Sequence, residues 1–173
     1  MARNVTSVIL SLAVAMVLSS APSSGQDGPA PRIPIAVADF DYVDTSGEVR
    51  NQEAEHAARL RAFVDALRAA LAQDARYQVV ALECPEPPCT AGRLAATELI
   101  ERARAAGAKL LLYGGIQKMS SLIQNGKAQV VDLQADRLLF DRLISFRGDT
   151  DDSWAHAQRF LLRELKNANL LSQ

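Results

Sequence analysis

Hydrophobic positions in this chain change their period several times, and each change marks an element. Val5 to Leu18 (VTSVILSLAVAMVL) is an apolar run behind a single basic residue, Arg3, and small residues from Ser19 to Gly25 follow it. That order is the pattern of a cleavable export signal, and the run falls short of the roughly 20 residues that a spanning helix needs. Pro22 beside Ala21 moves the expected cut to after Ser23 or Gly25. No cysteine stands near the junction to take a lipid. Ala21 to Pro34 is rich in Pro, Ser and Gly, so residues 1–25 read as signal peptide, 26–33 as a disordered linker, and 34–171 as a single α/β domain.

Within the domain, Ile35 to Phe40 (IAVADF) is a short apolar run suited to a strand buried on both faces. Asp41 to Arg50 (DYVDTSGEVR) reads as a polar loop. A helix from about Gln52 to Ala72 sets Leu60, Phe63, Val64, Leu67 and Leu71 on one stripe. Tyr77 to Leu82 is a second strand. Cys84 to Cys89 (CPEPPC) is excluded from helix and sheet interior by its three prolines. A second helix runs from about Ala95 to Ala106 and stops at Gly107. Three strands follow, Lys109–Met119, Leu122–Leu133 and Arg137–Arg147, joined by tight turns. Asp149 or Thr150 then caps a last helix with Trp154, Ala157, Leu161, Leu162 and Leu165 on its buried stripe.

The order β-α-β-α-β-β-β-α predicts a three-layer α/β domain with one mixed five-stranded sheet. Two crossovers make the first three strands parallel, with the first in the middle, and two turns make the last three an antiparallel meander. Chain direction then sends the loops after the first, second, third and fifth strands to one edge, the carboxyl edge where open α/β sheets hold ligands. The residues collected there are Asp41, Asp44, Thr45, Lys118, Ser120, Arg147, Asp149 and Asp152, together with the Cys84–Cys89 loop. Their plainer role is as caps, turn formers and surface ion pairs.

Composition narrows the partners. Once Arg3 leaves with the leader, 18 basic residues face 20 acidic ones, with no long charge block. That balance argues against electrostatic capture of nucleic acid or anionic lipid. After the leader nothing is long and apolar enough to span a membrane. Aromatics are 5% of residues, too few to furnish an aromatic sugar-binding cleft, so a glycosidase reading is weak.

Ile35 to Phe40, followed by Gly107-Ala108-Lys109-Leu110-Leu111-Leu112-Tyr113-Gly114-Gly115, resembles the amino-terminal domain of the TolB family and the α/β domain of CsgG-type proteins. More closely, Asp44-Thr45-Ser46, Lys118-Met119-Ser120 and Arg147 through Trp154 resemble a family of secreted proteobacterial proteins of unknown function. That likeness covers nearly all of the mature chain and implies the same fold and an extracytoplasmic setting.

The remaining motifs restrict the chemistry. Cys84 and Cys89, the only cysteines, read as a structural disulfide in an oxidising compartment; four intervening residues with three prolines do not make a redox C-x-x-C. Asp39, Asp41, Asp44 and Glu48 have roughly the spacing of a hard-cation loop, but Arg50 stands where an EF-hand needs its last Glu, so an Asx-type turn is expected and no metal. His56 and His156 read as surface residues, and Trp154 as packing. G-x-S-x-G is absent, and Gly114-Gly115 opens no helix, so it reads as a place of close packing rather than a phosphate loop. No cofactor is implied. These features suggest a non-catalytic accessory module that meets a periplasmic or envelope protein at the carboxyl edge or along its outer meander strand. Two other readings use the same edge: a small-molecule or cation site of Asp41, Asp44, Lys118 and Arg147, and a carboxylate-dependent hydrolase.

Overall fold

The structure is a computed structural model and describes residues 31–168 and residue 170. The signal peptide, its cleavage positions and most of the linker lie outside the described residues. The elements are β1 (Ile33–Val37), β2 (Asp41–Asp44), α1 (Glu53–Gln73), β3 (Tyr77–Val80), α2 (Ala96–Ala105), β4 (Leu110–Lys118), β5 (Ile123–Asp132), β6 (Arg137–Arg147) and α3 (Asp151–Asn167).

They form one mixed sheet in the order β3-β1-β4-β5-β6, with β2 paired to β4 as well. β1 lies in the middle and is parallel to both β3 and β4, while β4, β5 and β6 form the antiparallel meander. Two apolar clusters make three layers. Phe63, Val64, Leu67 and Leu71 of α1 and Trp154, Ala157, Leu161 and Leu165 of α3 pack on one face, against Val37, Leu112, Val130 and Ile144. Leu99 and Ala103 of α2 cover Ala36 and Leu111 on the other. Successive strand side chains alternate between these faces.

The sheet has six strands instead of five. Asp41 to Asp44, expected as loop, continues the row of β1 along β4, with Asp41 opposite Gly115 and Asp44 opposite Lys118. The row is interrupted because Asp39 N donates to Cys89 O at 2.9 Å, away from β4. Phe40, 1% exposed, then turns inward beneath Gly114. The Cys84–Cys89 disulfide is formed. It closes a loop held on the strand break, where Cys89 N donates to Asp39 Oδ2 at 2.8 Å.

Candidate functional site

The loops after β2, β3, β4 and β6 share the carboxyl edge, as chain direction required. At its centre is a buried ionic cluster. Lys118, the last residue of β4, is fully buried on the α1/α3 face. Its Nζ donates to Glu48 Oε2 at 2.6 Å, Gln52 Oε1 at 2.6 Å and Asp149 Oδ2 at 2.8 Å. Asp149, in the β6–α3 connection, also accepts from His56 Nε2 at 2.6 Å, Arg59 Nη1 at 3.0 Å, Gln124 Nε2 at 3.1 Å and Trp154 Nε1 at 3.2 Å. With Asp149 ionised, the His56 ring nitrogen is the donor.

The electrostatics follow from that geometry. Burial raises the pKa of Asp149, but donors from His56, Lys118 and Trp154 outweigh it and hold the carboxyl well below its usual range. Burial likewise lowers the pKa of Lys118, and its bonds to Asp149 and Glu48 reverse the sign and hold it above its ordinary value. The Tyr42 ring lies 4.8 Å from that of His56. Its hydroxyl is buried without a hydrogen-bond partner among the described residues, and burial followed by the Asp149 charge pushes its pKa up.

The expected site residues separate. Lys118 and Asp149 touch, and Asp44 Oδ2 stands 4.0 Å from His56 Nδ1 at the cluster's margin. Thr45 Oγ1 donates to Lys118 O at 3.0 Å, fastening the loop to the strand end. The other four do not join. Asp41 faces the opposite side of the sheet, where Oδ2 accepts from Gly92 N at 2.8 Å. Ser120 Oγ accepts from Leu122 N and Ile123 N within its own turn. Arg147 alternates with buried Phe146 and so stands on the other face. Asp152 is exposed in the first turn of α3, whose cap is Thr150.

Of the acidic stretch only Asp44 makes the expected Asx-type turn, while Asp41 to Asp44 is strand and Asp39 and Asp41 bind distant segments. Asp39 binds Arg68 and Cys89, Asp41 binds Gly92, and Asp44 Oδ1 accepts from Ser46 N at 2.9 Å and Ser46 Oγ at 2.6 Å. His156 is exposed as expected, but His56 is not: it is 2% exposed and central to the cluster. The signal was present, because residues 56, 60, 63, 64, 67 and 71 form one helical stripe. Gln52, Arg59 and Gln124 were also missed, since nothing in their sequence neighbourhood distinguishes them from surface residues; Glu48 was noticed only for its cation-loop spacing, and it pairs with Lys118 instead.

Beside the cluster a cleft of about 540 Å³ opens between β2, the start of α1 and the disulfide loop. Phe40, Tyr42 and Leu60 supply its apolar lining, while Arg50, Asp44 and Arg93 contribute charge.

These features define a three-layer α/β domain whose carboxyl edge is locked by an internal ion cluster. The chain belongs to the family described as Protein of unknown function (DUF2380), whose model matches residues 34–165. No curated protein matches it. Among solved structures it is similar to the hypothetical protein CT253 from Chlamydia trachomatis, at 9% identity and a TM-score of 0.51, over 83% of this chain and 100% of that one. It is similar to PelC from Paraburkholderia phytofirmans, a dodecamer, at 10% identity and a TM-score of 0.51, over 82% of this chain and 89% of that one. TolB from Acinetobacter baumannii matches at 14% identity and a TM-score of 0.47, over 81% of this chain and 29% of that one. These likenesses are of fold.

Proposed function

We propose that this chain is a non-catalytic accessory module, exported to the periplasm or beyond, that binds an envelope protein through the carboxyl edge of its sheet. The observation that carries the reading is the distribution of exposed apolar side chains. Val43, Val49, Met119, Leu122 and Ile123 all lie along that edge, with Val49 and Leu122 the most open of them. Apolar side chains gathered at one edge among polar groups are what protein interfaces offer. Beneath it, the groups able to do acid–base chemistry are committed to one another. All three Lys118 donors are taken, and His56 is bound to Asp149. The cluster thus acts as a rigid base for the rim. Among the described residues no helix is long and apolar enough to cross a membrane. That PelC, of similar fold, is a dodecamer accords with protein–protein contact as a use of this architecture.

Site-directed photocrosslinking in intact cells tests the reading. A photoreactive residue at Val49 or at Leu122 should yield one and the same adduct, identified by mass spectrometry. The same group at Ala135, exposed in the β5–β6 turn on the opposite edge, should yield none. Equal adducts from both edges, or none from Val49 and Leu122, would remove the proposal.

A further inference from the structure

β6 ends the sheet, and its outer side has no neighbouring strand among the described residues. Gly148 N donates to Leu122 O, and bonded pairs alternate along an antiparallel ladder, so Phe146, Ile144 and Arg142 turn their main-chain groups toward β5. Arg147, Ser145, Leu143 and Asp141 turn theirs outward. One outward group is engaged, because Arg142 Nη1 donates to Asp141 O at 3.1 Å. The side chains of these four residues stand on the face away from α1 and α3, where Leu143 is 76% exposed. Asp141 Oδ2 lies 3.1 Å from Lys127 Nζ. Arg147 makes no ion pair with any described residue.

We infer that this edge is the interface of a two-fold homodimer, in which β6 pairs antiparallel with β6 of a second copy about Ile144. The sheet then continues across the axis. Charge selects the occupant and the register. An axis at Asp141 would set that carboxylate against itself. An axis at Arg142 would set Arg142 against itself, and like charges directly opposite destabilise a ladder. An axis at Leu143 carries Arg147 to the bulge at Leu139, with no counter-ion. The axis at Ile144 sets Asp141 opposite Arg147 twice and Leu143 opposite Ser145, and it lets all four outward-turned residues of each copy pair. The strand is therefore complementary to its own inverse in charge, which an unrelated strand has no reason to be. This surface is the long side of β6 and not the carboxyl rim, so it stands or falls independently of the rim.

Sedimentation analysis of the exported chain, recovered after leader removal, tests the inference over a range of concentrations. The wild type should show a concentration-dependent monomer–dimer equilibrium. Arg147→Asp should weaken association by about tenfold, the equivalent of ~1.4 kcal/mol. The reciprocal pair, Asp141→Arg with Arg147→Asp, should restore it. Ser145→Pro removes only an outward donor and should give a monomer with an unchanged circular dichroism spectrum. If that variant fails to fold, the charge reversal and its rescue decide the matter. A wild type that stays monomeric at its highest soluble concentration overturns the inference. So does a dimer indifferent to Arg147→Asp, or a charge reversal that the reciprocal substitution fails to rescue.

Discussion

Five side chains converge on Asp149, and their removal should be unequal. Asp149→Asn leaves Lys118 buried with Glu48 as its only anion and should cost about 3–5 kcal/mol in denaturant unfolding, the range for breaking a buried pair. Lys118→Met should cost less, because Asp149 keeps His56, Arg59, Gln124 and Trp154. A larger loss for Lys118→Met would show that the carboxylate is not the hub. The pH dependence has a definite sign. Asp149 and Asp74 titrate below their unfolded values in the folded state; Arg76 donors outweigh burial at Asp74 and hold it at about 2. Their contribution is complete above the unfolded carboxylate value of about 4 and is lost as pH falls through the folded values. Lys118 runs the other way: its folded value is raised, so its contribution is present below the unfolded value of about 10.4 and is lost on passing through the folded one. Melting temperature should therefore be flat across neutral pH and fall at both extremes. In Asp149→Asn the acid limb should become shallower. At this scale the sequence showed which residue types gather at the edge, but a partner 93 residues away, as Asp149 is from His56, leaves no local trace.

Close approach governs the elements. A Cβ on Gly114 would sit 2.3 Å from Lys127 O and 2.7 Å from the Phe40 ring, so Gly114→Ala must force β4 from β5 or expel Phe40. Overpacking of this kind should cost about 1–3 kcal/mol or more, seen as a lower unfolding midpoint. The expectation that Gly114-Gly115 serves close packing holds for that reason. At the start of α3 the Thr150 hydroxyl accepts from Ser153 N at 3.3 Å, and Thr150→Ala should cost about 1 kcal/mol. A variant as stable as the wild type would show the cap to be redundant. Elements with a long apolar period were legible to within a few residues: α1, α2, β6 and α3 lie where periodicity puts them. β2 was not, because four residues with an aspartate at each end resemble a loop until pairing with β4 is known. Tyr42 packing inward and Val43 exposed were its only alternation.

At the scale of the whole molecule, topology was more legible than any side-chain contact. The crossovers and turns dictate strand direction, and direction dictates which loops share an edge. What direction leaves open is the face, and that put Asp41 and Arg147 on the side opposite Lys118. Mass spectrometry of the exported protein should find an amino terminus following Ser23 or Gly25; retention of Val5 to Leu18 would overturn the leader reading. The span of the ion cluster along the chain has a temporal meaning. A ribosome delivers Arg59 and Lys118 before Asp149, the carboxylate they share, and pairing across such separations is slow. A nascent polypeptide ending before Gly148 would have to enclose two cations, Lys118 and Arg59, without their shared anion, at a penalty of several kcal/mol per ion. Such a fragment should melt without a cooperative transition. Compaction should thus wait for the last stretch of polypeptide, and on the proposed export route the chain would until then stay loose enough to be threaded through a channel.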